Sequence, residues 1–168
     1  MQFTIEREAI RKYFPLISRT AGVRTLMPVL ENVLIQAQEN QVTLMATNTE
    51  NSCIINLDAE VKEGGKATFP AKLGNEILSS LSWSKEEFVE FNLKQEGLAV
   101  ICGDTQFELP VLDPEEFPEI SPVAEGDTCK IDFQIFKEAV RSVKFAVSSD
   151  VLKENLKGIF FKIFTIFE

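Results

Sequence analysis

The chain has 168 residues, 45% hydrophobic and 26% charged, with a formal net charge of −9, which is material for one globular domain plus a fraction rather than a disordered tail. It contains no histidine, and this excludes Ser-His-Asp hydrolysis, Cys-His proteolysis, His-ligated zinc and histidine proton shuttling. No apolar run reaches the roughly 18–20 residues of a membrane span, the opening residues do not read as a signal peptide, and Cys53, Cys102 and Cys129 read as buried free thiols of a cytoplasmic protein.

In chain order, Gln2–Glu6 alternates and predicts a strand. Arg7–Ser18 sets Ile10, Phe14 and Ile17 on one helical face, with Arg11, Lys12 and Arg19 on an adjoining or opposite arc. Pro15 should kink this helix or end it early. A loop over 21–28 carries Gly22 and Arg24. Residues 31–38, 41–46 and 52–61 read as strands split by polar turns; after a turn over 62–65 come a strand at 66–69 and a second helix at 71–81. Residues 87–93, 98–102 and 105–109 are the closing strands. Gly64 and Gly65 mark a turn, not a phosphate cradle, since no GxxxxGK[ST] follows. The order β-α-β-β-β-β-α-β-β-β, mostly meander, predicts an α+β domain over 1–120 with two helices on one face of an antiparallel sheet.

Residues 111–127 form a connector in which Pro114, Pro118 and Pro122 stiffen the chain and a run of Asp and Glu extends it, while Leu112, Phe117 and Ile120 pin it to the first domain. The carboxylate neighbours Glu115 and Glu116 diverge and have no visible partner for acid–base chemistry, so no catalytic residue, metal site or cofactor is expected. Beyond 127 the pattern repeats. A shift of 126 residues sets Ile5 on Ile131, Ile10 on Phe136, Arg11 on Lys137, Phe14 on Val140 and Ile17 on Val143, and continues without a gap to Leu30 on Leu156 and Ile35 on Phe161. The second copy, 128–168, is therefore expected to be a truncated domain: a strand at 128–132, then a helix over 133–147 with Phe136, Val140, Val143 and Val147 inward. Lys137, Arg141 and Lys144 fall within roughly 60° of arc on that helix. Charge follows the same division: five Lys/Arg against two Asp/Glu in residues 1–24, five against nineteen in 25–127, and seven against five in 128–168. Two basic segments thus flank an acidic body, and within a Debye length of roughly 8–10 Å each could attract a polyanion.

Five stretches carry a resemblance. The opening Met1–Glu8, the run Met27-Pro28-Val29-Leu30-Glu31-Asn32, the turn Ala46-Thr47-Asn48-Thr49-Glu50, the helix entry Phe69-Pro70-Ala71-Lys72 and the connector Pro114-Glu115-Glu116-Phe117-Pro118 follow the order found in the bacterial DNA polymerase III β subunit, the sliding clamp. The chain resembles the N-terminal part of that family. The resemblance implies a ring of two protomers, each of three similar domains, whose basic helices line a hole for duplex DNA and whose sheets face outward. It implies partners in the replicative polymerase and the clamp loader, a homodimer, and no membrane. Sliding needs diffuse phosphate attraction without base readout. By resemblance the DNA-facing residues are Arg7, Arg11, Lys12, Arg19, Arg24, Lys137, Arg141, Lys144 and Ser149; Thr105, Gln106 and Phe107 match the strand that meets the partner protomer, and Leu156 alone matches the peptide-docking groove.

The chain also departs from the family, which continues through the rest of domain two and a third domain. The apolar ending Ile159–Glu168 stands where more sheet is expected, so the chain reads as a piece of a longer protein or the product of a disrupted frame. The alternative to a DNA clamp subunit is a non-catalytic scaffold with a clamp-type domain that binds another clamp protomer rather than DNA.

Overall fold

The computed structural model describes residues 1–23, 25–120, 129–148, 150 and 156–162. It divides into two units, Met1–Pro122 and Val123–Glu168.

In the first unit, β1 (Gln2–Glu6) buries Phe3 and Ile5 by alternation, and α1 (Arg7–Ser18) follows directly with Ile10, Phe14 and Ile17 buried. Pro15 lies inside α1, yet the helix runs on to Ser18, so of the two expected outcomes, a kink or an early end, the early end does not occur. Proline in a helix costs roughly 3 kcal/mol, and the fully buried Phe14 and Ile17 on either side offset that by a similar amount. A 3-10 turn at Pro28–Glu31 leads into β2 (Asn32–Gln38), β3 (Gln41–Thr47), β4 (Ser52–Asp58), β5 (Glu60–Glu63) and β6 (Gly65–Pro70). Then come α2 (Ala71–Ser80), a 3-10 turn at Leu81–Trp83, β7 (Phe88–Leu93), β8 (Leu98–Cys102) and β9 (Thr105–Leu109).

The α+β class stands, with one topological difference. The strand predicted over 52–61 is two strands, so the order has five strands between the helices and the domain has two antiparallel sheets: β5-β1-β7-β8-β9 and β4-β3-β2-β6. Ala59 donates its N–H to the Asn40 carbonyl at 3.0 Å, which turns the chain out of the β3–β4 ladder and delivers β5 to β1. Alternation continues unbroken through the crossover, with Cys53, Ile55, Leu57, Ala59 and Val61 all facing inward, so a period-two pattern cannot reveal it.

Both sheets and both helices share one core. Phe3 stacks on Phe91 at 4.8 Å between ring centroids, and Phe14 on Phe69 at 5.7 Å. Gly74 of α2 sits against the second pair: a Cβ there would come within 2.7 Å of Phe69 and 3.0 Å of Phe14. Since both rings are fully buried, neither can give way. Gly74→Ala is therefore expected to destabilise the domain by about 1–3 kcal/mol, despite alanine's better helix propensity, as read from the urea midpoint. A smaller cluster of Val29, Leu34 and Phe117, with Met45 and Ile120 against it, completes the packing. The connector is thus anchored as expected at Phe117 and Ile120. Leu112 is held differently: its side chain is exposed, while its backbone bonds both ways with Thr68, whose hydroxyl donates to the Leu112 carbonyl at 2.8 Å.

The turn after β3 is built by side chains. Asn48 Oδ1 accepts from the backbone N–H of Glu50 and Asn51 at 3.1 and 2.7 Å, and Thr47 Oγ1 accepts from Thr49 N–H at 3.1 Å. These bonds fix Thr49 at φ 74°.

In the second unit, α3 (Phe133–Lys144) is capped by Asp132, whose carboxylate accepts from Gln134 and Ile135 N–H at 2.8 and 3.1 Å. It is shorter than the predicted 133–147, and it lies 126 residues after α1, end for end. The strand expected at 128–132 does not form over 129–132; residue 128 is outside the described residues. Phe136, Val140, Val143 and Val147 are exposed or half-buried rather than inward. The reason is local. β1 has β5 and β7 to bond and α1 has a core to face, whereas among the described residues α3 has no strand against it, and Phe136 is stacked on Phe161 at 5.6 Å between ring centroids. Cysteine burial also differs from expectation: Cys102 is buried, Cys53 partly so, and Cys129 is exposed.

Candidate nucleic-acid interface

The cations of α1 divide by what they touch. Arg7 is turned inward: its Nη1 donates to the carbonyls of Leu81 and Ser84 at 2.9 and 2.7 Å, and its side chain is 14% exposed. It ties the start of α1 to the turn after α2. A sequence signal for this existed, because Arg7, Ile10, Phe14 and Ile17 share the helical spacing of the buried face. Arg7, expected in the DNA-facing set, thus has its guanidinium committed to contacts within the domain. Arg7→Ala is expected to cost about 1–3 kcal/mol of stability by orphaning two carbonyls, as read by thermal unfolding.

Arg11 donates from Nη1 to Glu8 Oε1 at 3.0 Å, the same carboxylate oxygen that Arg7 Nη2 approaches at 3.0 Å. One acid thus holds two guanidinium groups near the start of α1, where negative charge is also favoured by the helix dipole. Lys12 is exposed, with its ammonium 5.0 Å from the Tyr13 ring centroid, and Arg19 is exposed just past the helix end. Arg24 lies outside the described residues, as does Ser149.

On α3, Arg141 and Lys144 are exposed in the last turn, where the carbonyl end of the helix favours cations. Lys137 is half-buried with its ammonium 5.9 Å from the Phe133 ring. The other predicted residues lie elsewhere in the fold. Thr105 and Gln106 are exposed and Phe107 half-buried on β9, the edge strand of the five-stranded sheet, while Leu156 is 57% exposed in the second unit. Trp83, not among the predicted residues, is 90% exposed on the turn after α2. Its one signal was a tryptophan between two serines, Ser82 and Ser84. Among the described residues no group of three or more Cys, Asp and Glu could hold a metal ion, and no helix is long and apolar enough to cross a membrane.

The arrangement of two helices packed on paired antiparallel sheets matches solved clamp structures. A sliding clamp (DNA polymerase III subunit beta) from Bartonella birtlesii bound to griselimycin superposes with a TM-score of 0.88 at 25% identity, covering 98% of this chain and 44% of that one. The DNA polymerase III subunit beta from Pseudomonas aeruginosa gives 0.80 at 28% identity, covering 90% and 41%. The Synechococcus elongatus beta sliding clamp is 30% identical over 165 residues, 97% of this chain and 44% of that protein. The fold class is therefore that of a polymerase sliding clamp. A sequence model of the DNA polymerase III beta subunit N-terminal domain matches residues 1–121, and the chain belongs to that family. It spans less than half the length of the curated relatives it matches.

Proposed function

We propose that this chain is the N-terminal portion of a non-catalytic sliding-clamp subunit, acting in the cytoplasm, that holds duplex DNA through sequence-independent phosphate contacts so that a replicative polymerase stays on its template. The supporting observation is the clamp-domain match over 1–121 combined with cations gathered on α1 and just beyond it in an otherwise acidic domain. The contact set is Arg11, Lys12, Arg19 and Arg24 from the first unit and Lys137, Arg141, Lys144 and Ser149 from the second. In this reading residues 1–120 are the first clamp domain, 121–127 the end of the connector and 128–168 the start of a second domain. The coincidence of α1 and α3 under one shift of 126 residues supports the duplication.

None of these contacts needs to be tight. A closed ring supplies residence by topology, while exposed lysines and arginines supply only the field that keeps DNA centred. Residues 105–107 on the β9 edge are the surface that meets a partner protomer, with polymerase and clamp loader as partners of the assembled clamp. The experiment is binding of two unrelated duplexes across a salt series, with retention on closed circular plasmid as a second readout. The reading expects equal affinity for both duplexes, steep loss with salt and no salt-resistant retention by this chain alone. Strong preference for one duplex, or salt-insensitive binding, would overturn it.

A further inference from the structure

We propose that the cleft at the crossover between the two sheets is a docking site for an arginine side chain carried by a segment of another protein. None of its residues belongs to the basic contact set of α1 and α3, so the site stands or falls independently of DNA binding.

The cleft follows from the fold. Alternation along β1 buries Phe3 and Ile5 and turns Thr4 and Glu6 to the opposite face of the five-stranded sheet. Cross-strand pairing sets Phe88 of β7 opposite Glu6, and Glu60 of β5 opposite Thr4, on that same face. At Ala59 the chain leaves one sheet for the other, and its N–H bond to the Asn40 carbonyl holds the β2–β3 turn beside the opening. A cleft of about 590 Å³ results, whose walls include Glu6, Asn40, Asp58, Ala59, Glu60 and Phe88. Ligand-binding pockets fall in this range of size.

Its chemistry selects the occupant. Phe88 is 51% exposed at the cleft, an aromatic ring left in water. Three carboxylates, Glu6, Asp58 and Glu60, share the lining with it, and no Lys or Arg does. Among the described residues no cation forms an ion pair with any of the three. Arg7, next in the chain to Glu6, is turned inward to the Leu81 and Ser84 carbonyls, and Lys62, two residues along β5 from Glu60, does not line the cleft. The site thus offers a cation an aromatic ring and fixed negative charge without supplying the cation itself. Guanidinium suits it better than ammonium: it is planar and stacks on a ring, and its five N–H groups fork to more than one carboxylate at once. The arginine stem covers Phe88 and Ala59 while the head stays with the acids. A polyanion is repelled, which excludes nucleic acid here. All three acids are exposed, so the cleft opens to the surface and takes a side chain hung from a passing backbone rather than a molecule it encloses.

The probe is an end-blocked pentapeptide, Gly-Ala-Arg-Ala-Gly, titrated into the full chain and followed by amide NMR. The expected result is a saturable shift at Glu6, Ala59, Glu60 and Phe88 that weakens with salt. Citrulline in place of arginine keeps the shape and loses the charge, and about tenfold more of that peptide should be needed; for lysine the factor should be about fivefold. The Glu6→Gln, Glu60→Gln double variant and Phe88→Ala should each need about tenfold more of the arginine peptide. Circular dichroism shows whether each variant keeps the fold. Citrulline or lysine binding as tightly as arginine, or no saturable shift at these residues, would overturn the site. Free arginine amide binding as tightly as the pentapeptide would overturn the protein segment and make the occupant a small organic cation.

Discussion

Replacing Arg11, Lys12 and Arg19 together by Glu is expected to weaken duplex binding by on the order of 100-fold at 0.1 M salt and to flatten its salt dependence by roughly three units of slope in the log–log plot. Each phosphate contact contributes about 0.9 to that slope, so three lost contacts account for the change. The effect should be the same on unrelated duplexes, since these side chains sit on a helix surface and beyond its end, with nothing shaped to read a base edge. Arg11 should contribute least of the three, because Glu8 already holds its guanidinium at 3.0 Å. Glu8→Gln is the informative companion: freeing Arg11 should strengthen binding, whereas an Arg11 with a purely structural role leaves affinity unchanged. If the triple variant binds duplex as the parent does, the protein-binding scaffold becomes the better account of the chain.

The second large effect lies in the core. Phe14→Ala is expected to cost about 3–5 kcal/mol, a sizeable share of the 5–15 kcal/mol that holds a typical domain. Phe14 is fully buried, stacks on Phe69 and fills the space above Gly74, so truncation opens a void between α1 and α2 that rigid neighbours cannot close. Coupling with Gly74 provides the check. In the Phe14→Ala background, Gly74→Ala places its methyl group toward the vacated space, and the cost it carries alone should shrink or change sign. A double-mutant cycle in urea with strictly additive costs would contradict this packing.

These two predictions also mark where sequence pattern sufficed. Ile10, Phe14 and Ile17 were legible because helical spacing and burial agree in α1; β1 was legible from alternation, and β8 and β9 as short runs between turn residues. The same spacing misled at α3. Phe136, Val140 and Val143 repeat the α1 pattern, but a pattern records a preference to be covered, and cover comes from strands elsewhere in a chain. The crossover at Ala59 was invisible for a related reason: the side chains keep alternating while the hydrogen bonds change owner. The candidate site was half legible. Basic residues announce themselves in a sequence, but whether a guanidinium faces solvent or caps two carbonyls, as Arg7 does, is decided by the turn at Leu81–Trp83 some seventy residues away.

That crossover binds the fates of the two sheets. The twelve residues from Ser52 to Glu63 serve as hem for both, β4 closing one and β5 closing the other, with Ala59 as the knot between them. Peeling either border tugs on its counterpart, so fraying that starts at one margin is passed across rather than contained. A body built this way resists piecemeal loosening and gives way all at once.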